Sequence, residues 1–130
     1  MHRVCLMKTR TVMYFTEKEE EFVSLLNELG FGRPVAQVLV FLANVPEATS
    51  RDIERGTDLR QPEVSIAMNH FRKRGWVGFR ESKAESKGRP IKIYKLTKPI
   101  GKIMDLIEKE KKEEAHKRLE QVQKLREYIS

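Results

Sequence analysis

The hydrophobic rhythm of this chain changes twice, after Gly75 and again at Lys98, and few small folds accommodate that order. Before the first change, apolar residues recur at helical spacing. Between the two they alternate as in strands, and beyond the second the helical spacing returns and holds to the C-terminus. Helices, then a hairpin, then one long helix is the expected order. At 130 residues the chain has room for one core and one extended appendage, which excludes a large multidomain enzyme.

Thr16 and Glu19 form a capping-box pattern, and Phe22, Leu25, Leu26 and Leu29 make one apolar stripe, so a first helix is expected that stops at Gly30 and Gly32. Pro34 suits the first turn of a second helix. Its Val35, Val38, Leu39 and Leu42, widened by Ala36, Val40 and Phe41, predict burial on most sides. Asn44 to Ala48 reads as a connection. A short third helix is capped by Thr49 or Ser50 and reaches Gly56, which is expected to supply the left-handed turn, with Leu59 as an apolar plug. A fourth helix follows from Gln61 to Arg74, with Val64, Ala67, Met68 and Phe71 inward and Gly75 as its stop. Val77 to Arg80 and Ile91 to Leu96 are the two strands, joined by a polar loop, Glu81 to Pro90.

From Lys98 one long helix is expected, with Pro99 in its first turn and a length of about 45 Å at about 1.5 Å per residue. Its apolar positions include Ile103, Ile107, Leu119, Val122, Leu125 and Ile129. The charged run Lys109 to Glu114 interrupts any strict heptad seam. The apolar far end needs a partner, and a second copy of the chain is the expected one.

Charge locates the function. Lys and Arg total 26 against 19 Asp and Glu, a net +7, which biases the chain toward anionic partners. Residues 1–59 sum to −2, residues 60–98 to +8 and residues 99–130 to +1. The excess therefore belongs to the fourth helix and the hairpin. Cys5 is the only cysteine, so no intramolecular disulfide forms, and Cys5, His2, His70 and His116 lack metal-like spacing. No metal and no cofactor is expected. The N-terminal run carries Arg3, Lys8 and Arg10 without a continuous apolar core, and the longest apolar stretch, Val35 to Ala43, is too short to span a bilayer. A cytoplasmic location and no membrane partner are expected. No Gly-rich phosphate cradle and no nucleophile with a paired base is present, so no catalytic residue is assigned.

Three helices followed by a basic hairpin is the order of a winged helix. The residues that carry a closer likeness are Leu29-Gly30-Phe31, Ala48-Thr49-Ser50-Arg51-Asp52-Ile53, Val64-Ser65-Ile66-Ala67-Met68, Phe71-Arg72-Lys73-Arg74-Gly75-Trp76-Val77, Lys87-Gly88-Arg89-Pro90 and Tyr94-Lys95-Leu96-Thr97. In these the chain resembles winged-helix transcription regulators of the MarR and TrmB type, especially the short archaeal forms. The resemblance implies a mainly α, α+β fold: a winged helix-turn-helix with a two-stranded wing and a long C-terminal dimerisation helix. It also implies a homodimer that binds double-stranded DNA. Residues 1–15 then form an N-terminal extension, 16–97 the DNA-binding domain and 98–130 the dimerisation helix.

The physical reading assigns roles within that frame. Gln61, Ser65 and Asn69, four residues apart, could offer one polar stripe to base edges in the major groove, with Ile66 beside them for a thymine methyl or for packing against the hairpin. Arg72 and Lys73, with Thr49, Ser50 and Arg51, are expected to meet phosphates. Arg60 stands where a capping residue is usual, and Asp58 could cap instead. Glu63 favours the helix dipole but repels phosphate, so one of Arg60 and Glu63 must turn aside. In the wing, Lys83, Lys87, Gly88 and Arg89 are expected at the minor groove. Trp76 is expected in the core or a dimer contact. The resemblance also allows a small-molecule effector, bound between the long helix and the domain as in MarR-like proteins, but no residue identifies one. The alternative is a winged helix used as a protein-interaction module, which does not require +8 on the helix and hairpin; an RNA-binding form stands behind it, and competition of duplex DNA against RNA distinguishes that one.

Overall fold

Four helices precede the first strand in the computed structural model, which describes residues 17–82 and 90–130. They are α1 (Glu17–Glu28), α2 (Arg33–Asn44), α3 (Ser50–Thr57) and α4 (Gln61–Arg74). Strands β1 (Val77–Ser82) and β2 (Ile91–Leu96) follow, and α5 (Ile100–Ile129) ends the chain. This is the α+β winged-helix order expected above. The chain divides into two units between Thr97 and Lys98. Thr16, the expected cap of the first helix, lies outside the described residues.

Gly30 and Gly32 adopt φ of 100° and 90°, a left-handed geometry that stops α1 and turns the chain into α2. The expected apolar stripe of α1 needs correction. Val23 and Leu26 are buried, whereas Leu25 is 59% and Leu29 44% exposed. Polar contacts to α2 accompany this rotation of α1. Arg33 donates to both carboxylate oxygens of Glu20 at 2.7 and 2.9 Å, and Asn44 Nδ2 donates to Glu19 at 2.8 Å. Glu19, Val23 and Leu26 share a face, and that face meets α2. Helix α2 is buried at Val35, Ala36 and Val38 to Leu42, as its apolar surface requires.

Helix α3 opens on a complete capping box. The Thr49 hydroxyl accepts the Asp52 N–H at 3.1 Å, and the Asp52 carboxylate accepts the Thr49 N–H at 3.0 Å, an arrangement worth about 1 kcal/mol. Its end differs from expectation. Gly56 is helical, α3 continues to Thr57, and the left-handed residue is Asp58 with φ of 62°. Gly56 is required for space instead: a Cβ there would clash with the Cε1 edge of the Phe41 ring.

Strand β1 pairs antiparallel with β2, from Val77 opposite Leu96 to Ser82 opposite Ile91. Pairing with Lys92 and Ile91 keeps Glu81 and Ser82 in the strand, two residues beyond the expected end at Arg80. Thr97 closes the base of the hairpin, its N–H donating to the Trp76 carbonyl at 2.8 Å and its hydroxyl to the Gly75 carbonyl at 2.7 Å. Ala48, read from sequence as a plain connection, exchanges two backbone hydrogen bonds with Tyr94, at 2.9 and 2.7 Å. A single residue carries no periodicity, so this third strand position left no signal.

The core of the first unit centres on Phe71, Leu39, Ile53, Val23 and Val38. Trp76 is buried and stacks on Phe71, with ring centroids 6.0 Å apart and planes at 25°. In the second unit, Pro99 is extended and its carbonyl accepts from Lys102 and Ile103, so α5 starts at Ile100 rather than Lys98. Among the described residues, no helix is long and apolar enough to cross a membrane.

Candidate nucleic-acid interface

Helix α4 is built to present one face. Pro62 occupies its first turn and Gly75, at φ of 76°, ends it by donating its N–H to the carbonyls of Phe71 and Arg72. Val64, Ala67, Met68 and Phe71 are buried, the stripe that the sequence predicts. At about 100° per residue, Gln61, Ser65, Asn69 and Arg72 fall within roughly 80° of each other, on a face centred roughly 105° from the buried stripe. All four are exposed.

The stripe is already knit together. Gln61 Nε2 donates to the Ser65 hydroxyl at 3.1 Å, and Arg72 Nη2 donates to Asn69 Oδ1 at 3.3 Å. A carbonyl oxygen has two lone pairs, so Asn69 can still accept from a base while Arg72 steadies it. Ile66 is 65% exposed beside this stripe, which leaves it open to apolar contact rather than packed on the hairpin. Lys73 is exposed near the helix end.

Arg60 is the N-cap and has no acceptor atom, so it makes no side-chain cap bond. Its N–H donates to Glu63 Oε1 at 3.1 Å, the one half of a capping box that remains. Asp58, the other candidate cap, instead ends α3. Glu63 is the residue turned aside. It is half-buried on the flank of α4, roughly 100° or more from Gln61 and Asn69, and its carboxylate serves the helix start.

His70 and Arg74 share that flank. His70 meets Phe31 and Phe71 edge-on at 5.7 and 5.9 Å, and the Arg74 guanidinium lies 5.3 Å from the Phe31 centroid and 5.1 Å from that of Trp76. Arg74 is thus a stacking residue, not part of the outward stripe.

At the start of α3, Ser50 and Arg51 are exposed, and Thr49 is half-buried with its hydroxyl engaged as the helix cap. Lys83, Lys87, Gly88 and Arg89 lie outside the described residues. On the described part of the wing, Arg80 makes a two-pronged ion pair with Glu47, Nη2 to Oε1 at 2.9 Å and Nε to Oε2 at 3.2 Å. The hydrogen bond from Arg80, aided by its charge and that of Lys95, holds the Glu47 carboxyl below its ordinary pKa. Stability from this pair is therefore present above the usual carboxylate pKa and fades as pH falls through the lowered one. Sequence reading missed the pair because its partners lie 33 residues apart, on a connection and a strand.

Of the expected dimerisation residues, Leu119, Val122, Leu125 and Ile129 are exposed on α5, together with Tyr128. Ile103 and Ile107 are buried.

Residues 29–88 match the model of the MarR family. A solved PadR family transcription regulator from hypervirulent Clostridium difficile is similar to this chain at 19% identity and a TM-score of 0.41, the match covering 65% of this chain and 90% of that one. No curated protein matches the chain. The family match spans the helix-turn-helix of α3 and α4 and the first strand of the wing, so this part of the chain, a winged helix by its element order, is similar to the MarR family.

Proposed function

We propose that the protein is a homodimeric regulator, acting in the cytoplasm, that reads specific sequences in double-stranded DNA, with α4 in the major groove and the wing at the minor groove. The observation that carries this reading is the exposed polar stripe of α4, Gln61, Ser65, Asn69 and Arg72, on a helix whose apolar stripe is fully buried. A helix in that position offers bidentate amides to adenine and a cation to the backbone, the combination that major-groove readout needs. Support also comes from the +8 sum of residues 60–98, since neutralised phosphates release counterions. The exposed apolar end of α5 supports a dimer, which would set two α4 helices about one DNA turn, roughly 34 to 36 Å, apart.

The roles divide between specificity and grip. Gln61, Ser65, Ile66 and Asn69 read bases; Arg72, Lys73, Ser50 and Arg51 hold phosphates. Selection from random duplexes with the purified protein tests the reading and should return a pseudo-palindrome with half-sites about one turn apart. Asn69→Ala should relax one base preference in each half-site, with discrimination there reduced by about 1–3 kcal/mol. Lys73→Ala should weaken all sequences alike. Equal loss on every sequence for Asn69→Ala would remove it from the reading set, and recovery of no enriched duplex would count against sequence-specific binding altogether.

A further inference from the structure

The Glu47–Arg80 pair sits where the wing meets the start of α3. Glu47 precedes Ala48, which is hydrogen-bonded to Tyr94 on β2, and Thr49, which caps α3. Arg80 and Lys95 project from the same face of the hairpin, Lys95 being opposite Gly78. Continuing the Ala48–Tyr94 register by one residue sets Glu47 opposite Lys95. The carboxylate thus lies between two cations, and the exposed Ser50 and Arg51 follow close by in the chain.

The ion pair is not needed to seat the hairpin, which Ala48, Thr97 and the β1–β2 ladder already tie down through other hydrogen bonds. What the pair does fix is the guanidinium. Arg80 spends its Nε–H and one Nη2–H on Glu47, leaving the Nη1 amino group and the second Nη2–H for another acceptor. Both side chains remain partly exposed, at 58% and 37%. Resting on the DNA-binding reading above, we propose that Arg80 and Lys95 form a sequence-independent binding site for a backbone phosphate, and that Glu47 is its positioning residue, holding the guanidinium with its remaining N–H groups outward.

The sign of the Glu47 effect decides between two accounts. As a bare negative charge, Glu47 repels the phosphate across the width of the guanidinium, a separation near the screening length, which is worth less than about twofold in affinity at physiological salt. As a positioning group it spares Arg80 the ordering of a long side chain on binding, worth about threefold or more. Positioning therefore wins, and loss of the carboxylate weakens binding even though the protein becomes more positive.

Binding of the full-length protein to a fluorescent mixed-sequence duplex of about 30 base pairs, followed by anisotropy at several salt concentrations, tests this. Arg80→Gln should lower affinity about threefold to tenfold and reduce the salt slope by about 0.9, as for one lost phosphate contact. Glu47→Gln should lower affinity by about 1.5-fold to threefold when Arg80 is present and cause no loss in the Arg80→Gln background, with a cooperative melt as the check on folding. Glu47→Asp, which keeps the carboxylate, should bind better than Glu47→Gln. Wild-type affinity or tighter binding in Glu47→Gln overturns the positioning role, and an unchanged salt slope in Arg80→Gln overturns the site. Either result leaves the DNA-binding reading standing if the wild type binds; failure of the wild type to bind the duplex removes both.

Discussion

Replacing Gly56 by alanine is expected to destabilise the protein by about 2 kcal/mol, lowering its melting temperature by roughly 5–10 °C. Propensity alone predicts the reverse, because alanine in a helix interior is favoured over glycine by about 1 kcal/mol. Packing outweighs it. Gly56 is helical and buried in α3, and the new methyl would have to occupy the position of the Phe41 ring, which is itself buried in α2. The ring cannot swing outward without opening the α2–α3 contact, so the cost of overpacking exceeds the gain in backbone entropy. Phe41→Leu in the same chain should recover part of the loss by vacating that space. Thermal melting by circular dichroism checks both, and a Gly56→Ala protein that melts at or above the wild-type temperature would contradict the packing of α3 on α2.

The second large effect concerns assembly. Aspartate at Leu119, Val122 and Leu125 should convert the protein from a dimer to a monomer while leaving the melting of the first unit unchanged. Each of these side chains is exposed in the single chain, and burying one in an interface contributes about 1.5–3 kcal/mol, a gain that a symmetric dimer makes twice. Carboxylates there remove that gain and add repulsion. The outer half of α5 is the right place to test, because deleting the whole helix would also strip out the buried Ile103 and Ile107 and confuse assembly with folding. Light scattering should give a mass near 15.3 kDa for the variant and about twice that for the wild type. A variant that stays dimeric would move the interface off this stripe, and a monomeric wild type would end the dimer proposal.

Much of this architecture was legible in the sequence, and the reasons are physical. The bounds and buried stripe of α4 could be read because Pro62, the spacing of Val64, Ala67, Met68 and Phe71, and Gly75 all point the same way. The wing was legible from its change of period, though its first strand ran two residues further because ladder pairing, not propensity, decides where a strand ends. What escaped were features set by contacts between distant residues. Nothing local distinguishes Leu25 from Val23; the rotation of α1 is set by its packing on α2, where Glu19 and Glu20 also reach Asn44 and Arg33. Gly56 carried a turn-like signal, yet the reason for it is a ring on another helix. At the candidate interface, the exposed residues could be named from α4 alone, whereas the turning aside of Glu63 and the Glu47–Arg80 pair needed the folded chain.

The salt dependence of duplex DNA binding tests the central claim most directly. If the α4 stripe and the basic hairpin grip the double helix as proposed, the logarithm of affinity should fall linearly with the logarithm of salt concentration, by about 0.9 for each phosphate neutralised, so a slope of about −4.5 for five contacts. A flat dependence, or no measurable binding at low salt, would contradict it.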